Sequence, residues 1–179
     1  MKRALIALTL AAALATPALA ALQPGAMAPN FSTEATLAGK AYPYSLDEAL
    51  KHGPVVLYFF PAAFTSGCTI EAHEFADAID QYKALGATVI GVTAGNVDRL
   101  AEFSTSECRS KFAVAADPDL KIAKSYDSTL ALYPGHSGRV SYVIAPDHKV
   151  LFTYNALDPS KHVELTLDAL RKWKTAHGG

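Results

Sequence analysis

The hydrophobic pattern of the chain switches repeatedly between two spacings. Residues 55–60 (Val-Val-Leu-Tyr-Phe-Phe) form an unbroken apolar run of β-branched and aromatic side chains stopped by Pro61, the mark of a strand buried on both faces. After it, Cys68, Ala72, Phe75, Ile79 and Tyr82 recur at intervals of four and three, which is one face of a helix ending near Gly86. The alternation then repeats. Residues 87–93 read as a second strand, and Gly95-Asn96 as a turn and N-cap for a helix whose apolar face includes Val97, Leu100 and Phe103. Residues 112–116 make a third strand, and Asp117-Pro118 starts a short helix carrying Leu120, Ile122 and Ala123. Strands over 140–145 and 150–154 flank a β-turn at Pro146-Asp147-His148-Lys149. Asp158 as N-cap, with Pro159 at the first helical position, opens a last amphipathic helix using Val163, Leu167 and Leu170. Ahead of all these, residues 21–54 are turn-rich, with Pro24-Gly25, Pro29-Asn30, Gly39-Lys40 and Pro43 separating short apolar pieces. The sum predicts an α/β domain over 21–179 with a mixed central sheet flanked by helices, and no internal repeat or linker divides it.

The first twenty residues obey a different rule. Lys2 and Arg3 form a positive n-region, residues 4–14 an apolar stretch, and Ala18-Leu19-Ala20 a small-x-small cleavage site, the pattern of a secretory signal peptide cut after Ala20. The apolar run is interrupted at Pro17 and is short of the about 20 residues that span a bilayer. The mature protein is therefore expected to be soluble, free of the membrane after cleavage, and exported, the bacterial periplasm being the expected compartment, where thiols meet oxidising machinery. Cleavage leaves 14 basic and 17 acidic side chains, a net charge of −3. That balance excludes the strongly basic surface of a nucleic-acid binder, and 8 Tyr and 8 Phe with only 18% charged residues exclude a disordered chain.

The chemistry concentrates around Cys68. The segment Pro61-Ala62-Ala63-Phe64-Thr65-Ser66-Gly67-Cys68 puts a cysteine just after a buried strand and in the first turn of a helix. Free backbone N–H groups and the positive end of the helix dipole favour a thiolate there, and a thiolate is the nucleophile. The turn also lies at the carboxyl end of the sheet, where open α/β folds place their sites. Spacing alone equally allows Cys68 to pack as a small hydrophobe on the seam it shares with Phe75 and Ile79. No metal or other cofactor is expected. The six histidines (His52, His73, His136, His148, His162 and His177) show no paired ligand spacing, two cysteines in different helices make a poor zinc set, and there is no phosphate-binding glycine loop. Without a Cys-x-x-Cys pair, a thioredoxin-type oxidoreductase is disfavoured.

Pro61-x-x-x-Thr65-x-x-Cys68 resembles the active-site signature of the peroxiredoxins, thiol peroxidases on a thioredoxin-like fold. The resemblance runs from Gly25-x-x-Ala28-Pro29-Asn30-Phe31 to the helix at Leu170, covering nearly the whole chain after residue 20. Thr69, Glu71 and Phe75 match the residues usual after the cysteine in the bacterioferritin-comigratory, or Q-type, branch, and residues 135–144 resemble the stretch that carries the family's active-site arginine, here Arg139. The resemblance implies a peroxidatic Cys68 that attacks hydrogen peroxide or a small organic hydroperoxide and becomes a sulfenic acid. It implies that Thr65 holds the peroxide oxygens, that Arg139 stabilises the thiolate and the leaving oxygen, and that Pro61 screens the thiolate from water. Glu71, one turn beyond Cys68, is expected either to orient Arg139 by an ion pair or to be an ordinary solvated carboxylate.

Resolution of the sulfenic acid is where this sequence departs from many relatives. Those carry a second cysteine five residues after the first, a position held here by His73, which either tunes Cys68 or is a polar surface residue. The other thiol is Cys108, 40 residues on, toward the end of the helix that begins near Asn96. Other members keep a resolving cysteine in the corresponding helix, so the resemblance implies a Cys68–Cys108 intramolecular disulfide, recycled by a thioredoxin-like dithiol protein and reached by local unfolding of both segments. Two other readings stay open: an unpaired or intermolecularly resolved Cys108, and a non-enzymatic thioredoxin-fold binding module with a static Cys68–Cys108 bridge.

Overall fold

The computed structural model describes residues 21–178; the signal segment read in residues 1–20 lies outside them. Seven strands, β1 (Ser32–Leu37), β2 (Lys40–Ser45), β3 (Val55–Phe59), β4 (Thr88–Thr93), β5 (Ala113–Ala116), β6 (Val140–Ile144) and β7 (Val150–Asn155), form one mixed sheet in the order β2-β1-β5-β4-β3-β6-β7. Central β3 (Val55–Phe59) runs parallel to β4 (Thr88–Thr93) and antiparallel to β6 (Val140–Ile144). β5 (Ala113–Ala116) continues the parallel set beside β4, and β7 (Val150–Asn155) closes one edge as a hairpin with β6. This is the expected mixed sheet flanked by helices, in a thioredoxin-like arrangement.

The continuous apolar run of β3 reflects a helical layer on each face of the sheet. Val55, Leu57 and Phe59 pack into one core with α1 (Leu46–Leu50) and α4 (Lys121–Ser125). Val56, Tyr58 and Phe60 pack into the other with α2 (Ser66–Ala84), α3 (Leu100–Ser106) and α5 (His162–Ala176). Alternate side chains of a strand point to opposite faces, so both sets must be apolar. α2 ends where Gly86 takes a left-handed φ of 74°, as the sequence predicts.

Four local expectations are corrected. Residues 21–54 are more than turns, since β1 (Ser32–Leu37) and β2 (Lys40–Ser45) form a hairpin with α1 directly after it. Its two-residue loop, Ala38-Gly39, has positive φ at both positions (50° and 76°), the geometry that matches strand twist in tight hairpins. β2 is the sheet edge, which is why Pro43 is tolerated there. Asn96 stands at an N-cap position, but that of a 3-10 turn, and its side chain makes no capping bond. It sits in the left-handed region at φ 55°, precedes a 3-10 turn (Val97–Arg99), and spends its side-chain amide on the Ala63 carbonyl at 2.7 Å. Asp117 does not begin a helix directly. α4 starts four residues later, and the Asp117 carboxylate reaches forward to accept from the amides of Ile122 (3.1 Å) and Ala123 (2.8 Å). Finally, α3 stops at Ser106, so Cys108 lies just past the helix rather than inside its last turn. Ser104, Thr105 and Ser106 all return their hydroxyls to carbonyls three or four residues back, the local competition that ends helices early.

Candidate active site

Strand register brings the chemistry together. Phe59, the last residue of β3, pairs with Val140, the first of the antiparallel β6. The residue before β6, Arg139, is therefore held beside the loop that leaves β3, where α2 begins. That loop is pinned from the β4 side: Ala63 N–H donates to Gly95 O (3.2 Å) and Thr93 Oγ1 donates to Pro61 O (3.2 Å). Gly95 is needed for this approach, because a Cβ there would lie 2.5 Å from the Ala62 methyl and 2.6 Å from Pro61 O. Phe64 adopts φ 62°, unusual for a bulky residue, under a cation–π contact from Arg99 at 3.9 Å and an edge contact with Phe103.

Thr65 is the N-cap residue of α2, and its hydroxyl donates to Ala62 O at 3.0 Å instead of capping the helix, which leaves its lone pairs at an exposed position. Thr69 N–H makes the bond to Thr65 O at 2.9 Å, so the amides of Ser66, Gly67 and Cys68 precede the helical ladder. Cys68 is buried, with its sulfur 3.4 Å from Arg139 Nη2, which donates to it. A Cβ at Gly67 would stand 3.0 Å from that same Nη2, so glycine is what lets the guanidinium reach the sulfur. Pro61 is half-buried at the head of the loop.

Arg139 is almost fully enclosed and each of its edges has an acceptor. Nε donates to Leu157 O at 2.8 Å, Nη1 to Glu71 Oε2, and Nη2 to Cys68. Glu71 is completely buried, so it is no solvated carboxylate; burial pushes its carboxyl up to about 8, against the pull of Arg139. Cys68, Glu71 and Arg139 are thus brought into one buried cluster. A fourth member escapes sequence reasoning. His162, the first residue of α5, is fully buried with Nδ1 3.6 Å from Glu71 Oε1 and 2.7 Å from Ser141 Oγ. The signal for it is indirect: Ser141 is a polar residue inside an otherwise apolar buried strand, and such a residue needs a partner.

Cys108 is not in this cluster. It is a free, fully buried thiol, as Cys68 is free, and no bridge joins them in this structure. Burial, with the Glu107 charge adding to it, pushes the Cys108 thiol up, so in this conformation it is held as the unreactive acid. Its segment is tied to the middle of α2: Glu107 pairs with His73 at 2.8 Å, Arg109 with Asp77, and Lys111 Nζ donates to Ala76 O at 2.9 Å. Those partners lie five to nine residues beyond Cys68, about 8–13 Å along the helix axis. A disulfide needs Cα atoms within about 7 Å, so bridging requires one or both segments to move. His73 is accounted for by its pairing with Glu107.

Comparison with known proteins agrees with this architecture. Residues 24–153 match the AhpC/TSA family. Peroxiredoxin Q, chloroplastic, from Oryza sativa subsp. japonica is 33% identical over 148 residues, 82% of this chain and 66% of the rice protein's length. Peroxiredoxin Q, chloroplastic, from Sedum lineare is 32% identical over 133 residues, covering 74% and 70% of the two chains. Among solved structures, peroxidoxin BcpB from Mycobacterium tuberculosis superposes with a TM-score of 0.76 at 27% identity, over 84% of this chain and 97% of that one. The reduced 2-Cys peroxiredoxin of Plasmodium vivax shares the fold at a TM-score of 0.76 and 18% identity, over 86% and 83%. The chain belongs to the AhpC/TSA family of thiol-dependent peroxidases, and within it to the Q-type peroxiredoxins.

Proposed function

We propose that this protein reduces hydrogen peroxide and small organic hydroperoxides through Cys68. The observation that carries the reading is the Cys68 sulfur in the first turn of α2 with an Arg139 N–H directed at it. In the reaction the thiolate attacks one peroxide oxygen, the O–O bond breaks, Cys68 becomes a sulfenic acid, and the other oxygen leaves as water or alcohol after taking a proton. Arg139 stabilises the thiolate before attack and the negative charge on the leaving oxygen during it. Thr65, with free lone pairs at the mouth of the loop, holds the peroxide, and Pro61 shields the sulfur from bulk water.

Cys108 then resolves the sulfenic acid by forming a disulfide with Cys68 and releasing water, and a thioredoxin-like dithiol protein returns the two electrons. The reading of Cys108 is supported by its being the second thiol of the chain and by the weak end of α3 before it. The n-, h- and c-regions of residues 1–20 support an exported protein whose mature domain is 21–179, in a bacterial periplasm, which requires an exported reductant. The tethering of the Cys108 segment to α2 five to nine residues beyond Cys68 supports this reading over a binding module with a static bridge. Peroxide consumption with a dithiol reductant, compared between wild type and Cys68→Ser, tests it: the variant should fold and lose essentially all turnover. Turnover retained in the serine variant would remove Cys68 from the chemistry.

A further inference from the structure

The turn that carries Cys108 is held in an unfavourable shape. Just past α3, Arg109 and Ser110 both take left-handed backbone, at φ 50° and 57°, where a helix end ordinarily places glycine. A side chain in that region crowds the carbonyl that follows it, so two in succession store strain. The turn is closed on α3 by its own backbone: the Glu107 and Cys108 N–H groups both donate to Phe103 O (2.9 and 3.0 Å), and Ser110 N–H donates to Ser104 O (2.9 Å).

Three side chains then fasten the same five residues to α2. His73 Nε2 lies 2.8 Å from a Glu107 carboxylate oxygen, Arg109 pairs with Asp77, and Lys111 Nζ donates to Ala76 O at 2.9 Å. These anchors flank Cys108 on both sides and all end on residues 73–77. The thiol between them is fully enclosed, in the core that Ala72, Phe75 and Ala76 share. Cys108 cannot reach the head of α2 while its neighbours stay fixed five to nine residues farther along that helix.

We propose that residues 107–111 and the 73–77 stretch of α2 form a sprung clamp on the resolving step, in which His73 and Asp77 are positioning residues that hold Cys108 shut and the strain at Arg109 and Ser110 drives its release. The inference rests on the readings of Cys68 as the peroxidatic and Cys108 as the resolving residue. Once the clamp opens, the Cys108 sulfur attacks the sulfenic sulfur of Cys68, the S–S bond forms as the S–O bond breaks, and the hydroxyl leaves as water with the Cys108 proton. While the clamp is shut the sulfenic acid waits and is exposed to a second peroxide, so clamp strength divides Cys68 between disulfide and overoxidation.

Opening is read directly in a Cys68→Ser background, where Cys108 is the one thiol left and its reaction with iodoacetamide reports how often the segment releases. Asp77→Lys, an exposed change that turns the Arg109 pair into a repulsion, should raise that labelling rate by about three- to tenfold. Adding Arg109→Glu restores an opposite-charge pair and should bring it back to within about twofold of the parent. Ser110→Gly relieves the strain and should act in the other direction, lowering labelling by about two- to fivefold. In the chain with both cysteines, the single-turnover rate of Cys68–Cys108 linkage after one equivalent of hydrogen peroxide should change by the same factors, while the rate of peroxide attack on Cys68 stays within about twofold. Labelling unmoved by Asp77→Lys, no recovery in the reversed pair, faster labelling in Ser110→Gly, or a linkage rate that ignores the labelling changes each overturns the proposal. Wild-type protein that forms the sulfenic acid but no linkage overturns the resolving reading of Cys108 and the proposal with it. If Cys68 does not react with peroxide at all, the peroxidase reading falls instead, and the labelling rates alone decide the clamp.

Discussion

Replacing Arg139 by Lys keeps a positive charge at the site and removes the planar fork, which isolates what the geometry contributes. The guanidinium serves Leu157 O, Glu71 Oε2 and Cys68 Sγ at once, at three different edges. An ammonium is a compact point charge on a flexible stem and cannot span those three directions. The Glu71 contact is the more demanding, because its oxygens are fully buried, so the lysine is expected to settle there and abandon the sulfur. A hydrogen bond to a charged partner is worth about 1.5–3 kcal/mol, and each 1.36 kcal/mol is tenfold in rate, so peroxide oxidation of Cys68 should slow roughly ten- to hundredfold. Lys retains a partner for Glu71, so the variant should escape the loss of about 1–3 kcal/mol expected of Arg139→Ala, which leaves the buried Glu71 carboxyl without its donor. Competition kinetics against a haem peroxidase measures the rate on fully reduced protein, and urea unfolding measures the fold. A lysine variant that folds and reacts within about threefold of wild type would refute the argument that Nη2 on the sulfur matters.

The same contacts set other outcomes. Gly67→Ala places a methyl 3.0 Å from Arg139 Nη2 and should slow peroxide oxidation by about tenfold with little effect on thermal stability; equal rates would show that the guanidinium moves aside freely. After peroxide treatment, non-reducing peptide mapping should find Cys68 linked to Cys108 within one chain, whereas Cys108→Ser should stop at sulfenic acid and then overoxidise. Free Cys108 in oxidised wild type would make it a packing residue. His162 is neutral in the fold down to about pH 4, while in the unfolded chain it takes a proton near 6.5, so the unfolded state binds more protons between those values. Its contribution to stability is complete above about pH 6.5 and declines by about 3 kcal/mol as the pH falls to 4, an acid loss that urea unfolding should show reduced in His162→Asn.

The elements that read clearly in the sequence are those whose pattern is set by two-sided burial. β3 and α2 carry continuous and three-four spaced apolar positions because a core lies against each, and they deliver Cys68 to its place. The β1–β2 hairpin is hidden because β2 is almost wholly exposed and its loop places Ala38, not an obvious turn residue, at positive φ. Asn96 has the residue type of a cap, yet a tertiary contact to Ala63 claims its side chain. Arg139 is found by resemblance; no local pattern points to it, since its meaning depends on β6 running antiparallel beside β3. His162 is out of reach for the same reason, as its partners come from α2, β6 and the end of β7.

The packing of Phe64 joins the two cysteine segments mechanically. Its ring lies between Arg99 and Phe103, and Phe103 also stacks on Phe60 at 5.5 Å, while Asn96 holds Ala63. The helix that leads to Cys108 is therefore also the wall that keeps the Cys68 loop in its unusual backbone conformation. If Cys108 is drawn out of its burial to meet Cys68, that wall should shift and leave Phe64 free to relax from positive φ. The two segments would then act as a door and its latch, the strain released at Phe64 lowering the work of opening the other.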